Sequence, residues 1–189
     1  MRIEKAIEEI NRPAGRWVRL EKVRWSRGHL ALSFGIHKGK RGGRFDAWMF
    51  QCSEVLDANI TALDGGGLAM YRSSHPAARQ FAARQAEVRW HGVSDEVVGA
   101  LYKAHIEAVD DWIPFGSYSN IRAISNDNFS CRGPDFLMRA YARALRAIAK
   151  QPQIILARAK PDAIRPGVLH FGGSYVVANR FTAERHSDE

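Results

Sequence analysis

A chain of 189 residues can bury roughly 70% of the surface its unfolded form exposes, so its fold needs no disulfide or metal staple. Hydrophobic residues at 46%, aromatics at 10% and charged residues at 25% exclude disordered, collagen-like, coiled-coil and low-complexity classes. The 28 Lys and Arg against 20 Asp and Glu leave a formal net charge of +8, which biases the surface towards anionic partners.

The basic residues are 21 Arg and 7 Lys beside 26 Ala, a composition that GC-rich coding also produces. Cys52 and Cys131 have neither disulfide nor zinc-ligand spacing. The start, Met1 to Glu9, is mixed in charge and lacks the apolar core of a secretory signal. No stretch approaches the roughly 20 apolar residues that cross a bilayer. A cytoplasmic protein that does not enter membranes is therefore expected.

Ile3, Ile7 and Ile10 recur at helical spacing and predict a short amphipathic helix ended near Arg12-Pro13. From Arg16 the period becomes two. Val18 and Leu20 predict one strand, and Leu30, Leu32, Phe34 and Ile36 an antiparallel neighbour. The turn Lys38 to Arg44 precedes a third strand, where apolar residues on both phases suggest cover on both sides. A short strand at Leu68 to Arg72 and a brief helix from Pro76 follow. Val88 and Trp90, alternating with Glu87, Arg89 and His91, predict a further strand.

Ser94-Asp95-Glu96 caps a helix to about Asp110, with Val98, Leu101, His105, Ala108 and Trp112 as its inward stripe. The segment from Asp110 to Arg132 reads as a long binding loop, or as one hiding a short helix near Asn120 to Ser125. A second long helix has Pro134 at its first position and runs to about Lys150. Ile154 to Ala157 and Val168 to Ala178 close the chain as strands, the latter interrupted by Gly172-Gly173. The order predicts an α+β fold, mainly an antiparallel sheet with the two longer helices packed on one face. No repeat, linker or change of composition marks a boundary, so residues 1–189 are expected to form a single domain.

On the second long helix, Leu137, Tyr141, Ala144 and Ile148 share one face. Arg139, Arg143, Arg146 and Lys150 repeat that spacing two residues later, about 200° away at about 100° per residue. The basic stripe could track phosphates or be an ordinary solvated face. Lys38, Lys40, Arg41 and Arg44 concentrate charge and three glycines in one turn, which could meet an anion or only solubilise a hairpin tip. That turn lacks the Gly-Lys-Ser/Thr ending of a nucleotide loop. Tyr118, Asn120 and Arg132 are binding candidates from the irregular segment.

Catalytic candidates are Cys131, His105, Asp110 and Asp111. Cys131 stands near a helix start and beside Arg132, both of which favour a thiolate. His105 projects from an apolar stripe, where a hydrogen-bonded core imidazole is the alternative. Asp110 and Asp111 are adjacent and diverge by about 100° if helical. Cys52 reads as core. The seven histidines show no ligand spacing, so no metal and no cofactor are expected. With a core evident and no catalytic constellation, the expected function is a non-catalytic interaction module for a protein or anionic ligand. A toxin-neutralising or regulatory protein is one version, since a basic inhibitor suits an acidic partner. The alternatives are nucleic-acid binding by the basic helix face, and a small enzyme with its site in residues 105–132.

Overall fold

The computed structural model describes residues 2–61, 64–125, 127–158 and 165–186. In chain order its elements are α1 (Ile3–Asn11), β1 (Arg16–Ser26), β2 (His29–Lys38), β3 (Arg44–Asn59), β4 (Asp64–Gly65), β5 (Leu68–Tyr71), α2 (Pro76–Ala82) and β6 (Gln85–His91). They continue with α3 (Asp95–Val109), β7 (Arg122–Ser125), β8 (Asn128–Pro134), α4 (Asp135–Ala147), β9 (Gln153–Leu156), β10 (Gly167–Phe171) and β11 (Ser174–His186). Antiparallel sheets and helices together make the chain α+β, as expected. Contacts gather into two compact units, one of Met1–Ala78 with Ile164–Glu189 and one of Arg79–Ala163. Each has its own cluster of buried apolar side chains.

The first unit is a seven-stranded antiparallel sheet of order β4-β1-β2-β3-β11-β10-β5. Its two edge strands, β4 and β5, are separated in sequence by only Gly66 and Gly67, so the sheet must curl until its edges are chain neighbours. The alternating residues Leu30, Leu32 and Phe34 fill the interior, where Phe34 meets Phe50 and Phe171 edge-on at 5.4 and 5.1 Å. Ile3, Ile7 and Ile10 of α1 complete that core. Beyond them, Asn11 acts as a strand mimic for β5: its Nδ2 donates to the Leu68 carbonyl at 2.7 Å and its Oδ1 accepts from the Leu68 N–H at 3.1 Å.

Two expectations change here. On β3, Trp48, Phe50 and Cys52 are buried while Phe45 is 45% exposed. Cover therefore lies mainly on one face: in the second apolar phase only Ala47 is buried, Met49 is half-buried and Phe45 is exposed. The closing strand is two strands, because Gly172, at φ +56°, reverses the chain into a β10–β11 hairpin.

The second unit runs β-α-β-β-α-β with antiparallel order β7-β8-β6-β9, a split βαβ arrangement. Ser94 caps α3 by accepting from the Val97 N–H at 3.4 Å. The helix α4 lies against β6, β8 and β9, and α3 packs on α4. The buried stripe of α3 is Val97, Leu101, Ala104, His105 and Val109, while Val98 is 38% exposed. The helix stops at Val109, with Asp110 at φ +53°, so Trp112 cannot extend the stripe. Two single 3-10 turns, Asp110–Trp112 and Phe115–Ser117, occupy the irregular segment. The helix weighed for Asn120 to Ser125 is instead the strand β7, which is too short to display a period. Pro134 stands at the cap of α4 rather than inside its first turn.

Candidate functional site

Strand alternation divides the four-stranded sheet into two faces of opposite character. Ala86, Val88 and Trp90 are buried in the core with Leu101, Leu137 and Leu145, which sends Glu87, Arg89 and His91 to the other side. Register extends this across the sheet. Arg89 lies opposite Ser130 and Gln153, and Arg122 lies opposite Ser130 from β7. The next row is Ile155, Glu87 and Arg132.

Glu87 organises this open face. Its side chain is only 11% exposed. Its Oε1 accepts from Arg89 Nε at 2.5 Å and its Oε2 from Arg132 Nη2 at 3.0 Å. The Arg89 hydrogen bond, helped by that of Arg132, holds the carboxyl below the usual glutamate range against burial, which pushes it up. The two guanidinium groups remain 44% and 76% exposed. Arg122 is exposed on the same face, opposite Ser130, so Arg89, Arg122 and Arg132 bring three positive charges to that face against the one negative charge of Glu87.

A cleft of about 410 Å³ opens over these residues, bounded by Gln85, Glu87, Arg122, Ser130 and Arg132 from the strands and by Ser117, Tyr118 and Asn120 from the segment before β7. Tyr118 is fixed at its rim. Its hydroxyl donates to Gln80 Oε1 at 2.8 Å, and its ring fills the space where a Cβ on Gly133 would come within 2.7 Å. A second depression of about 370 Å³ shares Gln85, Glu87 and Arg132 and adds Ala86, Ile155 and Ala157. Guanidinium donors tethered at one edge and exposed at another suit planar, bidentate capture of an oxyanion.

Of the residues expected to bind, Tyr118, Asn120 and Arg132 come together in this cleft. On α4, Arg139, Arg143 and Arg146 are exposed and Lys150 is half-buried beyond the helix end. Arg139 pairs with Asp135 at 3.7 Å. Lys38, Lys40, Arg41 and Arg44 belong to the first unit. There Lys40 stands over the Trp17 ring at 5.7 Å and Arg44 donates to Glu21 at 3.0 Å.

The catalytic candidates are placed differently. Cys131 faces the core, and burial pushes its thiol up to about 12, the reverse of the expected activation. Alternation on β8 explains this, because Arg132 points to the opposite face from Cys131. Cys52 is core, its thiol likewise pushed up to about 12 by burial. His105 is fully buried and uses both ring nitrogens: Nε2–H donates to the Ile113 carbonyl at 2.6 Å, and Nδ1 faces the Tyr141 hydroxyl at 2.8 Å, which donates to it in the neutral ring. Asp110 and Asp111 are exposed on their 3-10 turn.

Sequence reasoning missed Gln85, Glu87, Arg89, Arg122 and Ser130. The signal for two of them was present, in the Glu87, Arg89 and His91 phase of β6, but only the register of three other strands turns it into a site. Among the described residues, no group of three or more His, Cys, Asp or Glu lies close enough together to hold a metal ion, and no helix is long and apolar enough to cross a membrane. No family model matches the chain, and no curated protein or solved structure matches it.

Proposed function

We propose that the protein is a non-catalytic interaction module that takes an anionic partner on the open face of the four-stranded sheet. The observation that carries this reading is the pair of guanidinium groups, Arg89 and Arg132, ordered on the nearly buried Glu87, with Arg122 exposed on the same face and a surplus of positive charge left for a partner. In this reading α3 and α4 form the layer that covers one face and thereby frees the other. A regulatory or toxin-neutralising role fits, since a basic surface steers towards an acidic partner. Two free, buried cysteines support a cytoplasmic setting.

The second reading, nucleic-acid binding by α4, is favoured by the exposure of Arg139, Arg143 and Arg146. The sheet itself suits nucleic acid less. Its strand aromatics Trp90 and Phe129 stack with each other at 6.4 Å, and Trp90 lies on the covered face. The open strands therefore offer no platform of Phe, Tyr or Trp for bases.

Fluorescence anisotropy with labelled poly-glutamate and labelled single-stranded RNA at low ionic strength separates the readings. Arg122→Glu with Arg132→Glu is expected to weaken poly-glutamate binding at least tenfold, and Arg143→Glu with Arg146→Glu to change it less than twofold. The reverse pattern, with RNA bound more tightly than poly-glutamate, would overturn the proposal in favour of the helix.

A further inference from the structure

The two depressions on the open face differ in chemistry yet share Arg132. On one side lies Arg122, diagonal to Arg132 because Arg122 faces Ser130, two residues earlier on β8. Diagonal neighbours stand roughly 7–8 Å apart, within reach of long side chains, so both guanidinium groups can close on one oxyanion. Arg132 has a single nitrogen engaged by Glu87, and a guanidinium carries five N–H donors. On the other side, Ile155 lies across Glu87 from Arg132, two strand spacings or roughly 10 Å away. Ile155 is 42% exposed and has Ala157 beside it in the second depression.

We infer that the paired depressions form one site for a small organic phosphate monoester, with the phosphate on Arg122 and Arg132 and an apolar body against Ile155 and Ala157. The inference rests on the reading of the open face as the binding surface. A phosphate monoester carries roughly −1.5 to −2 at neutral pH and three acceptor oxygens, enough to take donors from both Arg122 and Arg132, whereas the two oxygens of a carboxylate are filled by one bidentate guanidinium. The volumes of about 410 and 370 Å³ fall within the small-ligand range of roughly 300–1,000 Å³. An exposed apolar side chain beside guanidinium donors gives a reason for an organic ester to outbind the bare ion.

Titration calorimetry with phenyl phosphate, inorganic phosphate and benzoate tests the assignment. Phenyl phosphate is expected to bind at least tenfold more tightly than either of the others. Arg122→Gln and, separately, Arg132→Gln should each weaken both phosphate probes at least tenfold. Ile155→Ser, at a half-exposed edge position, should remove the phenyl advantage while leaving inorganic phosphate unchanged. Equal affinity for the three probes, or no binding of phenyl phosphate at millimolar concentration while poly-glutamate still binds, would overturn the ligand assignment and leave the open-face reading standing. Loss of poly-glutamate binding as well would overturn that reading too.

Discussion

On the covered face of the four-stranded sheet, Cys131, His105 and Tyr141 are buried with their polar atoms satisfied or held neutral. On the open face, one residue further along the same strands, Glu87 is ringed by Arg89 and Arg132, which keep most of their surface in solvent. The comparison teaches that residue type is a poor guide to chemistry without phase. The residues with the more versatile side chains were used to build the core, and the plain ion-pairing residues were set where a ligand can reach them. Cys131 and Arg132 make the point at its sharpest, since neighbours in sequence occupy opposite faces.

The largest effect should come from the covered face. His105→Ala leaves the Tyr141 hydroxyl and the Ile113 carbonyl buried without their partner and opens a cavity, at a cost of about 3 kcal/mol or more. Urea denaturation measures it. Binding of poly-glutamate by the protein that remains folded should not change; a selective loss of binding would give His105 a role beyond packing.

A smaller effect, with a distinctive pH dependence, is expected at Glu87. Glu87→Gln weakens two charge-assisted hydrogen bonds to half-exposed or exposed guanidinium groups, so the loss should be about 1 kcal/mol near neutral pH. The folded carboxyl lies below its ordinary value, so its contribution is complete above the unfolded value of about 4.3 and is lost as pH falls through the folded value. The stability gap between wild type and variant should therefore be constant down to about pH 5 and close below about pH 4. A gap that persists unchanged into acid would assign the effect to packing rather than charge. Smallest of all, Arg143→Ala and Arg146→Ala should each shift stability by less than about 0.5 kcal/mol, as exposed positions do.

Much of the fold was legible because its signals are local. Ile3, Ile7 and Ile10 announced α1, the alternation of Leu30, Leu32 and Phe34 announced β2, and Ser94 announced the start of α3. Leu137, Tyr141, Arg139, Arg143 and Arg146 took the faces that their spacing required. The rest depended on long-range pairing. Arg122 and Ser130 become one row only through the β7–β8 register. The split between the compact units falls inside α2, with no Pro-rich or Ser-rich linker to mark it. Tyr118, Asn120 and Arg132 could be named as recognition residues because irregular, polar segments collect such roles. Glu87 and Arg89 stayed hidden because charges alternating on a half-buried strand look the same whether the exposed face binds a ligand or only water.

The most direct test is a map of amide chemical shifts on titrating the folded protein with poly-glutamate. Shifts are expected to concentrate in Gln85–His91, Asn128–Arg132 and Tyr118–Arg122. Shifts confined to Arg139–Lys150 or to Lys38–Arg44, with the strands of the four-stranded sheet unmoved, would contradict the open-face reading.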